Sequence, residues 1–392
     1  MNVSTYGYSI IAATALGPRA YGAFAGLMAT LLVLGVLQLG LQATAARRIS
    51  AAPDHVGEIE RGILLVSRRA ALLLGALTLA LSPAFMVMIR LDDLAPALLV
   101  AVAIVPMTIM GGQAGILQGE RRWAALAVVY LANGIPRILI GTALVLLRPT
   151  ETSAMVGVAV AAWAPVLVGW LVLRGARPAA PPSEDRFVRR IAWESVRNSQ
   201  ALLAFFAVSN IDVVVARNVL GERDAGLYAG GLILTKAVLF LPQFVVVLAF
   251  PSMATAGESA SALRRSLAAV GVIGLLATGG AWLLSGLALI FVGGRQYDEI
   301  VDSLWLFAVL GTLLAMLQLL VYAVLARQGR RSVYLVWAAL VALVLAGGAA
   351  SSLHALLLTV IAVDGLLLAA LLGINLFLLA TQPQEASHDV LR

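Results

Sequence analysis

Cysteine is absent from this chain of 392 residues, and lysine nearly so, Lys236 being the single example. Without thiols there is no disulfide, no thiolate metal site and no cysteine nucleophile. The three histidines, His55, His354 and His388, stand far apart and form no ligand pair. A phosphate-binding loop needs a lysine directly after its glycines, and Lys236 lies inside a hydrophobic run, so a nucleotide-driven pump finds no support. Charge is also scarce: Asp, Glu, Lys and Arg make up 12% of the residues, about half of what a soluble domain carries. What fills the chain is apolar, at 61% hydrophobic residues and a mean hydropathy of +0.97.

That composition predicts an all-α polytopic membrane protein. Around 20 apolar residues cross a bilayer as a helix, and twelve candidate spans can be read: residues 3–17, 21–45, 70–89, 95–118, 123–147, 152–174, 199–219, 226–250, 266–292, 303–326, 333–350 and 355–380. The first is short, with Met1 almost at its start, which leaves two readings: a truncated helix, or a start codon downstream of the true one. It has neither the basic leader nor the small-residue cleavage pattern of a signal peptide, so it is expected to be retained.

Numbering the spans in order sorts the basic residues onto alternate sides. Nineteen arginines, among them Arg47, Arg48, Arg189 and Arg190, fall on one side; Arg19, Arg90, Arg148, Arg217, Arg223 and Arg295 fall on the other. The positive-inside rule then puts both termini in the cytoplasm. The net charge of +7 is a topology signal and gives no reason to expect a nucleic-acid partner. Abundant Ala and Arg with almost no Lys fits a GC-rich bacterial genome, hence the bacterial cytoplasmic membrane.

One segment returns. Leu16-Gly-Pro-Arg-Ala-Tyr-Gly-Ala-Phe-Ala-Gly26 is followed 204 residues later by Leu220-Gly-Glu-Arg-Asp-Ala-Gly-Leu-Tyr-Ala-Gly230. Leu, Gly, Arg, Gly, Ala and Gly recur at identical offsets, and Phe24 is answered by Tyr228. Each copy joins two hydrophobic stretches, so each marks a tight hairpin opening a helical bundle. Copies separated by an even number of spans keep one orientation, which predicts two halves related by an axis along the membrane normal with a shared cavity between them. The expected organisation is a six-helix lobe over 1–174, a polar linker over 175–198, a second six-helix lobe over 199–380 and a tail over 381–392. Within the linker the prolines end the sixth helix, while Phe187, Val188, Ile191 and Val196 share a face. That pattern predicts an interfacial amphipathic helix on the cytoplasmic leaflet with Trp193 near headgroup depth, a solvated linker between the halves being the plainer alternative.

Charges at membrane depth are costly and mark pathways or partners. Arg137 lies mid-way along the fifth span, with Asn133 one turn away on the same face and Pro136 loosening the backbone. It is either a fixed cation for an anionic headgroup or the partner of an acid or carbonyl. Lys236, with Gln243 two turns further on, is the second cation. Asn210 and Asp212 precede Arg217 in the seventh span; Asp212 is either a proton or sodium site or the buried partner of a cation, and Asp364 in the last span is similarly open. Amides form a softer signal: Gln38 and Gln42 one turn apart, Gln113, and Gln318 one turn from Tyr322. Singly these read as interhelical hydrogen bonds; as a set they suit a polar cavity that binds sugars loosely.

Ala15-Leu-Gly-Pro-Arg-Ala-Tyr-Gly22, the helix end Gln42-Ala-Thr-Ala-Ala-Arg-Arg48, Leu117-Gln-Gly-Glu-Arg-Arg-Trp123 and Asn210-Ile-Asp-Val-Val-Val-Ala-Arg217 together resemble polysaccharide-biosynthesis flippases. These belong to the multidrug/oligosaccharidyl-lipid/polysaccharide exporter superfamily. The resemblance implies two six-helix lobes around a V-shaped cavity and the export of a polyprenyl-pyrophosphate-linked glycan. It also implies basic cavity residues that engage the pyrophosphate, for which Arg137, Lys236 and Arg217 are the available positions. The short first helix and the few intramembrane charges depart from that pattern. The expected cycle is alternating access without covalent chemistry and without a cofactor, coupled to a proton or sodium gradient or to membrane potential. A cation-coupled drug exporter is the alternative within transport. A glycan ligase or polymerase would need a large outer loop, and the longest one, Gly293 to Asp302, offers three acids but no room for a cleft.

Overall fold

The computed structural model describes residues 2–174, 185–241, 259–326 and 331–380. They form α1 (Asn2–Leu34), α2 (Val36–Ala51), α3 (Val56–Ile89), α4 (Ala95–Gly119), α5 (Trp123–Leu147), α6 (Glu151–Ala161) and α7 (Trp163–Leu173) in the amino-terminal half. The second half has α8 (Asp185–Val219), α9 (Glu222–Phe240), α10 (Ser259–Leu283), α11 (Ser285–Val292), α12 (Leu304–Ala326), α13 (Arg331–Gly347) and α14 (Leu353–Ala380). Two short 3-10 turns complete it, and the described residues contain no strand. Nine of the described helical stretches are long and apolar enough to cross a membrane.

The helices reduce to twelve passes once their kinks are read. Gly17 inside α1 has φ 72° and ψ 170°, outside helical space. Residues 16 apart on a straight helix lie about 24 Å from one another, yet the rings of Tyr8 and Phe24 pack edge-to-face at 5.8 Å. The chain therefore reverses at Gly17, where a glycine tolerates the positive φ and Pro18 starts the returning helix. The second pass continues through the Gly35 kink into α2. Helices α6 and α7 share one pass, as do α10 and α11. The twelve-span reading thus holds for the described residues, residues 242–250 of the eighth span lying outside them, and the boundaries move chiefly where apolarity stops before helicity does. Helix α3 starts at Val56, well ahead of the apolar stretch that begins at residue 70.

Residues 185–198 do not lie as a separate interfacial helix. They are the first turns of α8, because neither glycine nor proline interrupts the chain from Asp185 to Val219. Only part of the apolar face expected to lie on lipid packs inside the protein, since Val196 is 46% exposed and the side chain of Phe187 lies outside the described residues. Val188 and Ile191 are buried in one cluster with Leu41, Ile49, Ile63 and Leu117 of the first half. Trp193, on the opposite face, is 68% exposed.

At the end of the bundle that carries the two hairpins, the repeat meets itself. A methyl group on Gly22 would come within 2.9 Å of the Cα of Gly226, and one on Gly226 within 1.8 Å of the Pro18 carbonyl oxygen. Gly22 and Gly226 are equivalent positions of the repeat. The two copies of the repeat therefore meet at the same position of each. Absence of a side chain at both positions lets α1 and α9 cross backbone to backbone.

Candidate functional site

Between the halves, near the middle of the bundle, lies a cavity of about 150 Å³. The first half contributes Thr5, Tyr6, Ser9, Tyr21, Phe24 and Met28; the second contributes Phe205, Asn210, Ile233, Lys236 and Gln318, with several further apolar neighbours. Lys236, on α9, brings the cation. Its Nζ donates to the Ser209 carbonyl at 2.6 Å and to Asn210 Oδ1 at 3.1 Å. Both acceptors are neutral, so the ammonium keeps its charge uncompensated at contact distance.

The acids lie behind it. Asn210 and Asp212 are two residues apart, which turns them about 200° from one another around α8. Asn210 faces the cavity, while Asp212 points away from it. Asp212 Oδ2 accepts a hydrogen bond from Tyr228 at 3.1 Å and Oδ1 accepts one from the Val213 amide at 2.9 Å. Asp364 on α14 is 1% exposed, and neither of its oxygens has a hydrogen-bond partner among the described residues. Asp212, Lys236 and Asp364 interact electrostatically as a set. No contact ion pair closes between Lys236 and either acid. The α8–α9–α14 side of the cavity is therefore a three-charge cluster with a Tyr hydroxyl, held apart by amide and carbonyl groups.

Arg137 sits one layer behind the opposite wall. It is buried and donates from Nη1 to Thr5 Oγ1 at 3.3 Å, with its Nε left without a partner. Thr5 itself lines the cavity, so the guanidinium is one small side chain away from it. Asn133 is buried beside it on α5. Arg217 is placed elsewhere. Its Nε donates to the Ile89 carbonyl at 2.8 Å and its Nη2 to the Arg90 carbonyl at 2.6 Å. Those carbonyls end α3, where unsatisfied C=O groups and the helix dipole favour a cation.

The amides divide similarly. Gln318 lines the cavity. Gln38 packs on Met110 within the first half, Gln42 donates to Gln118 Oε1 and Tyr130, and Gln113 donates to the Val166 carbonyl. Gln243 and the side chain of Tyr322 lie outside the described residues.

Contacts between the halves flank the cavity towards either end of the bundle. At the hairpin end Arg19 pairs with Glu222, and Gln296 Nε2 donates to the Ala13 and Thr14 carbonyls at 3.0 and 2.9 Å. Asn218 reaches the Met88 carbonyl at 2.6 Å. At the arginine-rich end Glu194 of α8 is clasped by Arg47 and Arg48 of α2, with Arg48 at 3.1 Å from Nε and 2.7 Å from Nη2. One to two turns further in, Asn198 donates to Thr44 at 3.2 Å, and Gly40 lets Ser199 close against the backbone. Glu194, Thr5, Ser9 and Tyr228 escaped the sequence reading. Tyr228 had a signal, as the repeat's answer to Phe24; the others sit in segments whose polarity reads as span edge or linker.

A small inter-half cavity between paired six-helix bundles, with polar contacts crossing between the halves towards either end, defines a membrane transporter fold. The comparisons agree. A transporter of the multidrug resistance MATE family, of the MOP superfamily, in its inward-facing conformation superposes with a TM-score of 0.80 at 13% identity, over 97% of this chain and 96% of that one. The lipid II flippase MurJ in an inward closed conformation gives 0.70 at 13%, covering 97% and 86%. The eukaryotic MATE transporter AtDTX14 gives 0.69 at 13%, covering 96% and 92%. No curated protein sequence matches significantly. The family model for polysaccharide biosynthesis proteins matches residues 2–257. The chain belongs to that family.

Proposed function

We propose that the chain is an alternating-access flippase that moves a polyprenyl-pyrophosphate-linked oligosaccharide across the bacterial cytoplasmic membrane, with both termini cytoplasmic, and that it is not an enzyme. The observation that carries this is Lys236: a cation aimed into the inter-half cavity and held only by neutral oxygens. An incoming pyrophosphate can replace the Ser209 and Asn210 acceptors with charge-assisted hydrogen bonds, which are roughly twice as strong. Arg137, behind Thr5, adds positive potential from the other half. A cavity of about 150 Å³ has no room for a whole oligosaccharide, so its passage requires the halves to move apart.

Asp212 and Asp364 supply the coupling. A buried carboxylate without a partner is strongly disfavoured, and Asp364 has none among the described residues. A proton or a sodium ion there offsets that cost, and its arrival or release changes the field felt by Lys236. Membrane lipids, the glycan lipid and that ion are the partners the reading requires.

The cavity's many aromatic and aliphatic walls also favour a second reading, an exporter of amphipathic cations. The two differ in the sign of the cargo. Liposomes holding the purified protein, given a fluorescent polyprenyl-pyrophosphate sugar in one arm and a fluorescent organic cation in the other, separate them. Translocation of the anionic lipid alone supports the flippase; translocation of the cation alone overturns it.

A further inference from the structure

The first turns of α8 carry a surface that the cavity does not use. Arg186, Arg189, Arg190, Trp193, Val196 and Gln200 are all exposed, and their three- and four-residue spacing makes one stripe about 21 Å long. The opposite face, with Val188, Ile191 and Ser195, is buried. Arginines occupy one end of the stripe and Trp193 its middle. Its other end enters a groove of about 610 Å³ walled by Val36, Leu74, Val196, Leu203, Tyr334 and Trp337. Tyr334 is 74% exposed and Val196 46%. Groove and cavity share a partition: Leu32 lines the cavity and Val33 the groove, while Phe205 lines the cavity and Leu203 the groove.

We infer that the stripe and groove are a loading site for the substrate's own lipid, an isoprenoid chain bearing a pyrophosphate. The chain lies in the groove, Trp193 sits at the boundary, and the pyrophosphate rests on Arg189 and Arg190. Charge complementarity commits the occupant: guanidinium groups at one end of an apolar channel fit an anionic head on a long apolar tail. From there, release of the Glu194 clasp opens the partition between α2 and α8, and the headgroup passes inward. This inference rests on the flippase reading for its substrate, and its test is separable from it.

The probe is geranylgeranyl diphosphate with a benzophenone at the far end of its chain, photolysed with the full-length protein in phosphatidylcholine nanodiscs. Adducts are expected on peptides holding Leu203 and Trp337. Unlabelled undecaprenyl diphosphate should displace the probe, and phosphatidylglycerol at the same concentration should not. The double variant Arg189→Gln/Arg190→Gln alters exposed side chains only, and should need roughly thirtyfold more probe for equal labelling. Leu203→Trp, which fills the groove, should abolish the adducts. Labelling that survives either variant, or equal displacement by phosphatidylglycerol, overturns the loading site. Flipping in liposomes distinguishes the two claims: labelling without flipping leaves the site and removes the flippase, and flipping without charge-dependent labelling does the reverse.

Discussion

Adding one methyl group at Gly226 should open the hairpin end. The new Cβ would lie 1.8 Å from the Pro18 carbonyl oxygen and 2.3 Å from the Pro18 carbonyl carbon, and both are backbone atoms that cannot rotate away. Relief requires α1 and α9 to separate by more than 1 Å or so, a displacement that breaks their backbone contact at this crossing. Overpacking of this kind costs about 1–3 kcal/mol. The cost falls only on the state in which the hairpins touch, so the closed-to-open ratio at that end should fall by about 5- to 150-fold. Gly22→Ala is the milder case, since its Cβ meets the Gly226 Cα at 2.9 Å. Gly286→Ala is the control, with nothing within 4 Å. Spin labels on Arg19 and Arg223, both exposed, read the distance between hairpins by pulsed electron resonance in liposomes. The expected order of the long-distance population is Gly226→Ala above Gly22→Ala above wild type, with the control unchanged. Identical distance distributions for Gly226→Ala and wild type would refute the argument that this contact holds the hairpin end together.

Three further outcomes follow from the same geometry. Glu194→Gln removes the anion from between Arg47 and Arg48, so a cysteine placed at Leu32 should react faster with a reagent supplied from the arginine-rich side. Asp364→Asn should leave flipping down a substrate gradient intact while abolishing its acceleration by an imposed pH or sodium gradient, which parallel flux assays measure. Tyr228→Phe deletes the hydroxyl that bonds Asp212; loss of a hydrogen bond to a charged group costs about 1.5–3 kcal/mol, and should appear as a lowered thermal unfolding midpoint in detergent.

The fold was legible because its two strongest determinants are local. Long apolar runs fix the passes, and the Leu-Gly hairpins fix where the halves start; Gly22 against Gly226 is the repeat read back from three dimensions. Helix ends were less legible, since helicity at Val56 and Asp185 continues well past the apolar stretch. The site was half legible. Lys236, Asp212, Asp364 and Arg137 declare themselves as charges inside apolar runs, but sequence cannot say which way each points. Two residues of spacing turn Asp212 away from the cavity that Asn210 faces, and Arg217, equally charged, caps a helix. Nor could the linker's composition reveal that Glu194 meets Arg47 and Arg48, residues nearly 150 positions earlier in the chain.

The central claim is that the Lys236 ammonium holds the pyrophosphate inside the membrane. It is tested most directly by the flipping rate of a fluorescent polyprenyl-pyrophosphate sugar in liposomes carrying wild type, Lys236→Arg or Lys236→Met. Replacing the ammonium with a thioether of similar length should slow flipping roughly tenfold to a hundredfold, the loss of one charged hydrogen-bond donor, with Lys236→Arg retaining part of the rate. An undiminished rate for correctly folded Lys236→Met would contradict the account.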